Sequence, residues 1–239
     1  MLAIFHLSVA LLNVYTLWYD QMYVDLPFPS KEIEEMPFKA RLLFVTIWCL
    51  ILQTVYFSLA LLNDIFGTNY AAPTNPPVIR KIKDTLFSLA FPCALFVAGV
   101  FWTIYFINKE LIFPENISNR FPAWLNHVMH TSIVPFTVAE VKFSRITYPS
   151  RSIGLTLTLM FTVSYTIWTN FIYFRTGVYP YPFLTLANWP IRVAIFGIIA
   201  PLAAIATYTF CERWNTSANP RKHTVQYSNG HSNGHSKNH

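Results

Sequence analysis

The sequence predicts an all-α membrane protein, a polytopic bundle of six transmembrane helices, and two features of its composition carry this prediction. Hydrophobic residues make up 54% of the 239 residues and charged residues only 12%, whereas an ordinary soluble domain carries about 25% charged residues. The apolar residues also stand in long blocks that match the thickness of a bilayer, and not in the short runs of β-strands. The chain is therefore not a soluble globular domain, and it has room for one compact bundle.

Six apolar blocks define the predicted helices: residues 2–19, 41–62, 85–107, 124–141, 153–173 and 190–211. The first block has no basic segment before it and no small-residue cleavage site, so we interpret it as a retained helix and not as a cleaved signal peptide. The third, fourth and sixth blocks contain Pro92, Pro135 and Pro201, which should kink them. Aromatic residues cluster near the block ends, as is typical of the membrane interface.

Basic residues in the connections predict the orientation. The N-terminus, the loops 63–84 and 142–152 and the tail hold ten Lys and Arg residues, and the other three loops hold seven. Because cytosolic loops are enriched in Lys and Arg, both termini are expected in the cytosol, with the protein in the endoplasmic reticulum or plasma membrane. The net charge of +6 forms no sustained basic face and accompanies no nucleic-acid motif. The bilayer, and no nucleic acid, is therefore the expected partner.

The domain prediction is a transmembrane domain over 1–214 followed by a disordered tail over 215–239. The tail is polar and repeats the unit SNGH, so it cannot bury enough apolar surface to fold. The three cysteines are too few and too dispersed for a disulfide framework or a zinc site.

Polar side chains on four predicted helices reach a similar depth in the outer leaflet. With cytosolic termini, the second and fourth helices start at the opposite surface, which puts Thr46 and His130 about 8–9 Å below it. Asn13 lies at a similar depth on the first helix, and Asn170 slightly shallower on the fifth. Ionisable residues inside membranes usually face a cavity or the bundle interior and mark function. His130 is therefore the strongest functional candidate.

Each of the other polar residues has a structural alternative. Thr46 could donate a hydrogen bond to a carbonyl one turn back in its own helix. Asn13 and Asn170 could join helices by hydrogen bonds. Gln53 lies two turns after Thr46 on the same helical face, where it could join helices or line a cavity.

His127 and His130 form an H-x-x-H pair on one helix face. His127 lies one turn closer to the surface, so we interpret it as an interfacial residue or a partner of His130. This spacing could hold a metal ion or the edge of a haem. Because no carboxylate or further histidine is predicted at that depth on another helix, no metal is expected.

Threonine and histidine together make a plausible catalytic pair. A hydroxyl becomes a good nucleophile when a base removes its proton, and a neutral imidazole suits that task near pH 7. The chain has no G-x-S-x-G elbow, H-E-x-x-H zinc motif or Gly-rich phosphate loop that would indicate another chemistry. The residue types alone leave an enzyme and a structural contact both open.

Four stretches resemble the androgen-induced gene / androgen-dependent TFPI-regulating protein family: "LAFPCALFVAGVFWTIYFINKELIFP", "FPAWLNHVMHTSIVPF", "YPSRSIGLT" and "VYPYPFL". The resemblance runs from about residue 38 to the sixth helix and is densest over 89–155. It implies a six-helix membrane hydrolase of fatty acid esters of hydroxy fatty acids, with a threonine nucleophile, a histidine base and no cofactor.

The family motifs assign the roles residue by residue. The N-H-x-M-H-T motif stands here at 126–131, and its second histidine, the family's base, is His130. The family's threonine lies seven residues before a Gln in the second helix, which implies Thr46 as the nucleophile. The residues around Thr46 match less closely than those around His130, so Thr54 and Thr131 are the alternatives.

The resemblance therefore predicts a lipid ester hydrolase that uses Thr46 and His130. Candidates for substrate binding or support of the catalytic pair are Asn13, Gln53, Asn126 and His127. The alternative is a non-enzymatic membrane protein that binds lipid or regulates a partner, in which Thr46 and His130 are polar contacts between helices.

Overall fold

The computed structural model describes residues 1–28, 31–70 and 75–219, and within these ranges it contains helices and connections but no strand. The prediction of an all-α chain is confirmed for these residues. Six helical segments follow one another along the chain: α1 (Leu2–Tyr23), α2 (Val45–Phe66), α3 (Val78–Asn108), α4 (123–143), α5 (Arg151–Thr176) and α6 (Trp189–Ala218). Short helical turns occupy the connections at Lys31–Glu34, Pro37–Leu43, Lys109–Leu111, Glu115–Ser118 and Pro182–Leu186.

Five of the helices are long and apolar enough to cross a membrane: α1, α2, α3 with its extension to Leu111, α5 and α6. Each overlaps one of the predicted blocks. Large apolar side chains such as Leu11, Ile167 and Leu202 remain exposed on their outer faces, as expected for helices that contact lipid. The chain is accordingly an integral membrane protein with several spans.

The predicted span at 124–141 corresponds to α4, which is not one of those five helices. A wider, π-helical turn at Val128–Ser132 divides it. Its uninterrupted α-helical parts, Ala123–His127 and Ile133–Phe143, are each too short to cross a bilayer alone. A total of six spans therefore stays a prediction.

The second helix begins later than predicted. The second predicted span begins at residue 41, whereas α2 begins at Val45. Before it, the backbone turns sharply: φ is 55°, 49° and 56° at residues 38–40. This left-handed conformation is unfavourable for residues with a side chain and is not part of a right-handed helix. Thr46 consequently lies in the first turn of α2 and not about five residues inside it.

The helices pack around a continuous apolar core. α2 packs against α1 and α3, and α6 packs against α3 and α5. Tyr56, Phe57, Phe87, Phe91 and Tyr208 are fully buried and contribute much of the largest core cluster. Aromatic side chains of this size supply most of the contact area between the helices.

A buried polar network joins α1, α2 and α4 at the end of the bundle that is predicted to be cytosolic. The imidazole of His6 lies 2.6 Å from a carboxylate oxygen of Asp64 through Nδ1 and 2.7 Å from one of Glu140 through Nε2. The hydroxyl of Tyr56 donates to the other oxygen of Glu140 at 2.5 Å. Because a buried carboxylate is stable only when it is paired, these bonds explain how Glu140 is accommodated inside the bundle.

The last helix extends past the predicted start of the tail at residue 215. It continues to Ala218, because Asn215 donates from its side chain to the carbonyl of Ile146 at 3.1 Å, and Asn219 donates to that of Val141 at 3.0 Å. Most of the predicted tail, residues 220–239, lies outside the described residues.

Candidate active site

The site begins with Thr46, which the left-handed turn and the start of α2 place at the bundle interior. The backbone N–H of Ile47 donates to the carbonyl of Phe44 at 3.0 Å, and the indole of Trp48 donates to Leu42 at 2.8 Å. These bonds hold the first turn of the helix on either side of Thr46, whose side chain is buried. The position also receives the positive end of the helix dipole.

His130 lies in the π-helical turn of α4, and its backbone carbonyl accepts a hydrogen bond from α3. The indole N–H of Trp102 donates to that carbonyl at 3.1 Å. The ring of Phe101 stacks on the imidazole, with centroids 3.6 Å apart and planes inclined by 16°. Two neighbouring residues of α3 thus fix the depth and the plane of the His130 ring.

Thr46 and His130 are in direct contact across α2 and α4. Oγ1 of Thr46 lies 3.1 Å from Nε2 of His130, and Nδ1 of His130 lies 3.0 Å from the backbone oxygen of Asn126. A carbonyl oxygen can only accept, so Nδ1 carries a proton. In the neutral imidazole Nε2 is then unprotonated and accepts the hydroxyl proton of Thr46. The geometry is that of a hydroxyl, a base and a group that orients the base.

Two cavities meet at Thr46. The larger has a cavity volume of about 140 Å³ and lies chiefly among apolar side chains of α3, α5 and α6. The smaller has a cavity volume of about 70 Å³ and lies among α1, α2, α4 and the connection after α3. Four residues line both cavities: Thr46, Phe101, Ile112 and Tyr181. His130 lines the smaller cavity.

Tyr181 is a further polar residue of the site. It lies in the stretch "VYPYPFL", where its residue type alone indicates no role. It belongs to the connection between α5 and α6, and its hydroxyl accepts the backbone N–H of Val45 at 3.1 Å. Burial raises the pKa of Tyr181, so the hydroxyl keeps its proton. Tyr181 lines both cavities together with Thr46, so this proton can be donated to an oxygen bound at Thr46.

A buried ion pair lines the smaller cavity. Nε of Arg41 donates to Oδ2 of Asp20 at 2.6 Å, and its Nη2 donates to the carbonyl of Val24 at 2.7 Å. Both side chains are almost fully buried. Within the described part of the chain, Nη1 of Arg41 and Oδ1 of Asp20 have no hydrogen-bond partner. The sequence pattern does not reveal this pair, because Arg41 stands at the edge of a predicted span, where a basic residue is expected.

None of the four predicted supporting residues lines either cavity, as far as residues 1–28, 31–70 and 75–219 show. Asn13 is buried with both side-chain amide atoms unpartnered there. Gln53 donates to the carbonyl of Ala90 at 2.8 Å, which is a contact between α2 and α3. Asn126 holds His130 through its backbone oxygen and not through its side chain.

His127 and the two alternative threonines have local partners. Nδ1 of His127 lies 3.1 Å from Oγ1 of Thr131, and its ring stacks on that of Trp102. The hydroxyl of Thr54 donates to the carbonyl of Leu50 at 2.7 Å. Asn170 donates to the carbonyl of Thr166 and accepts from a tyrosine of the following connection. None of these contacts, within the described chain, reaches the imidazole of His130.

Comparisons with known proteins agree with the family resemblance of the sequence. A family model described as FAR-17a/AIG1-like protein matches residues 1–215, which include all six helical segments up to the last turn of α6. The chain belongs to this family. No solved structure matches it.

Several curated members of the FAR-17a/AIG1 family are similar to this chain. The human androgen-induced gene 1 protein is 37% identical over 161 residues, which cover 64% of this chain and 68% of that protein. The mouse androgen-dependent TFPI-regulating protein is 31% identical over 213 residues, 85% of this chain and 92% of that protein. A membrane protein of Schizosaccharomyces pombe is 24% identical over 166 residues, 69% of this chain and 70% of that protein.

Proposed function

We propose that this protein is an intramembrane hydrolase that cleaves the ester bond of fatty acid esters of hydroxy fatty acids, with Thr46 as the nucleophile and His130 as the base. The observation that carries the proposal is the 3.1 Å contact between Oγ1 of Thr46 and Nε2 of His130. It is supported by the protonation of Nδ1, which the Asn126 carbonyl requires. The products are a fatty acid and a hydroxy fatty acid.

In the first half of the reaction, Oγ1 of Thr46 attacks the ester carbonyl while its proton passes to Nε2 of His130. The resulting oxyanion accepts a hydrogen bond from the hydroxyl of Tyr181, next to the positive end of α2. The bond between the carbonyl carbon and the alcohol oxygen then breaks. His130 gives its proton to that oxygen, which releases the hydroxy fatty acid and leaves the acyl chain on Thr46.

In the second half, a water molecule attacks the acyl-threonine ester. His130 takes a proton from the water and returns it to Oγ1 as the fatty acid leaves, so the enzyme is regenerated without a cofactor. An apolar bundle interior suits a substrate that partitions into the bilayer, because the low dielectric strengthens the hydrogen bond to the oxyanion. Both termini are proposed to lie in the cytosol.

The rival is a non-enzymatic lipid-binding or regulatory protein in which Thr46 and His130 hold α2 to α4. One observation favours it: the hydrogen bond between them does join two helices, which is a common use of polar residues in membranes. The two functions differ in the reactivity of the hydroxyl, because a structural hydroxyl remains a poor nucleophile.

A fluorophosphonate probe tests this difference. We expect it to modify Thr46 in the purified protein and to leave Thr46→Ala unmodified, as read by mass spectrometry of the α2 peptide. Thr54→Ala is the matched control, since Thr54 lies on the same helix with its hydroxyl bonded to Leu50. It should retain full labelling at Thr46. Equal labelling of wild type and Thr46→Ala, or hydrolysis by Thr46→Ala at the wild-type rate, would overturn the proposal.

A further inference from the structure

We propose that Arg41 and Asp20 form the site that binds the free carboxyl group of the hydroxy-acid part of the substrate, in the smaller cavity. The fatty acyl chain then occupies the larger cavity. The nature of the substrate rests on the proposed function, whereas the site itself rests on the geometry of the smaller cavity.

The direction of the substrate follows from the position of His130. The base must return its proton to the alcohol oxygen when the ester breaks, so the alcohol part has to lie on its side of Thr46. His130 lines the smaller cavity, and Thr46 stands where the two cavities meet. The hydroxy-acid part is therefore assigned to the smaller cavity. The mainly apolar larger cavity is left for the acyl chain.

The polar end of the smaller cavity offers one donor and one acceptor. Arg41 uses Nε and Nη2 for Asp20 and Val24, so the N–H groups of Nη1 remain, and Asp20 retains Oδ1. Buried polar atoms almost always have a partner in folded proteins. A carboxyl group supplies both missing hydrogen-bond partners. One of its oxygens accepts from Nη1 of Arg41, and the O–H of the acid donates to Oδ1 of Asp20.

The local backbone holds this site at the membrane boundary. The left-handed turn at residues 38–40 stands directly before Arg41, and strained backbone of this kind persists where the surroundings fix it. Arg41 also lies in the connection between α1 and α2. A ligand carboxyl group bound there would lie just before α2, with its alkyl chain running along the cavity that Thr46 also lines.

The nearby pair of Lys39 and Asp25 provides a matched control. Nζ of Lys39 lies 2.7 Å from Oδ1 of Asp25, but their side chains are 41% and 82% exposed. Replacement of Lys39 and Asp25 therefore removes one basic and one acidic charge near the site, and neither side chain lines the cavity.

The test measures binding of a product, so it does not depend on turnover. The full-length protein in nanodiscs would be loaded with a radiolabelled hydroxystearic acid, which is displaced with the unlabelled acid or with its methyl ester. The amounts of labelled acid and of competitor are expressed per mole of lipid, and nanodiscs without protein give the background binding. We expect the acid to compete about tenfold better than the methyl ester. In Asp20→Asn/Arg41→Gln the preference should fall to about twofold or less, and Asp25→Asn/Lys39→Gln should keep it.

Equal competition by acid and methyl ester in the wild-type protein would overturn the inference, and this comparison needs no variant to fold. A preference that survives in Asp20→Asn/Arg41→Gln would also overturn it. Hydrolysis of the parent ester is measured on the same preparations. Absence of hydrolysis together with the expected preference would reject the hydrolase function and support the carboxyl site.

Discussion

The hydroxyl oxygen of Thr46 lies 3.1 Å from Nε2 of His130, although 84 residues separate them in the sequence. The first turn of α2 carries the threonine and the π-helical turn of α4 carries the histidine. The other ring nitrogen of the same imidazole, Nδ1, donates to the backbone carbonyl of Asn126. This arrangement makes separate predictions for the hydroxyl, the base and the groups around them.

Substitutions of Thr46 should follow the hydroxyl and not the side-chain shape. Thr46→Ser keeps an oxygen that can attack and should retain measurable hydrolysis of an ester lipid. Thr46→Val keeps the shape without the oxygen and should lose at least about a thousandfold in turnover, or ~4 kcal/mol of transition-state stabilisation. Steady-state rates of the two purified variants show whether activity depends on the hydroxyl or on the side-chain shape. A Thr46→Val protein that is as active as Thr46→Ser would show that the hydroxyl is not used.

Removal of the Tyr181 hydroxyl should slow the chemical step. Tyr181→Phe loses the donor beside Thr46, and we expect the turnover rate to fall about a hundredfold, with a much smaller change in KM. It also leaves the N–H of Val45 without its acceptor, which should cost about 1–3 kcal/mol of stability. Tyr179→Phe is the control, because that hydroxyl donates to Asn170. A change in KM alone would assign Tyr181 to substrate binding.

Glu140 should matter for stability and not for the reaction. Glu140→Ala leaves His6 and Tyr56 without their shared buried partner, so the free energy of unfolding should fall by about 3–5 kcal/mol. The rate per folded molecule should stay within about twofold of wild type. Asp25→Ala, which breaks the exposed pair with Lys39, should leave the melting temperature unchanged. A catalytic defect in folded Glu140→Ala would show that the two polar sites are coupled.

Residues after Asn219 should be dispensable. A chain that ends there keeps the bonds of Asn215 and Asn219 to the bundle and should hydrolyse ester lipids at nearly the wild-type rate. A chain that ends at Arg213 loses both bonds and should melt at a lower temperature. A loss of turnover above about tenfold in the chain that ends at Asn219, with unchanged expression, would show that the residues after Asn219 are needed for activity.

Hydropathy and depth predicted much of this structure because they depend on local sequence. Five apolar helices overlap predicted blocks, and the depth estimate and the family resemblance both selected Thr46 and His130, which prove to be in contact. The depth estimate reached this pair although it placed the start of α2 at residue 41. Thr46 and His130 are in contact although the predicted start of α2 was wrong by about one turn.

The remaining features depend on contacts between distant segments. The turn at 38–40 contains no glycine, so no residue type in it indicates a left-handed backbone. The π-helical turn at Val128–Ser132 is accompanied by the hydrogen bond from Trp102, a residue of another helix. Arg41 directly follows the left-handed turn at 38–40, and it pairs with Asp20 of α1. This pairing could not be read from the pattern of apolar residues.

Paired measurements of activity and thermal stability on Thr46→Ala, His130→Ala and the double variant test the central claim most directly. If the two residues form one catalytic unit, each single variant nearly abolishes hydrolysis, and the double variant is little worse than either. Activity should then fall far more than stability: Thr46→Ala leaves one buried nitrogen unpaired, at a cost of about 1–3 kcal/mol, and His130→Ala also loses the stacking on Phe101. If the contact is structural, activity falls only in step with the melting temperature. Full hydrolysis by a well-folded Thr46→Ala protein would contradict the mechanism, and retained activity in His130→Ala alone would remove the base.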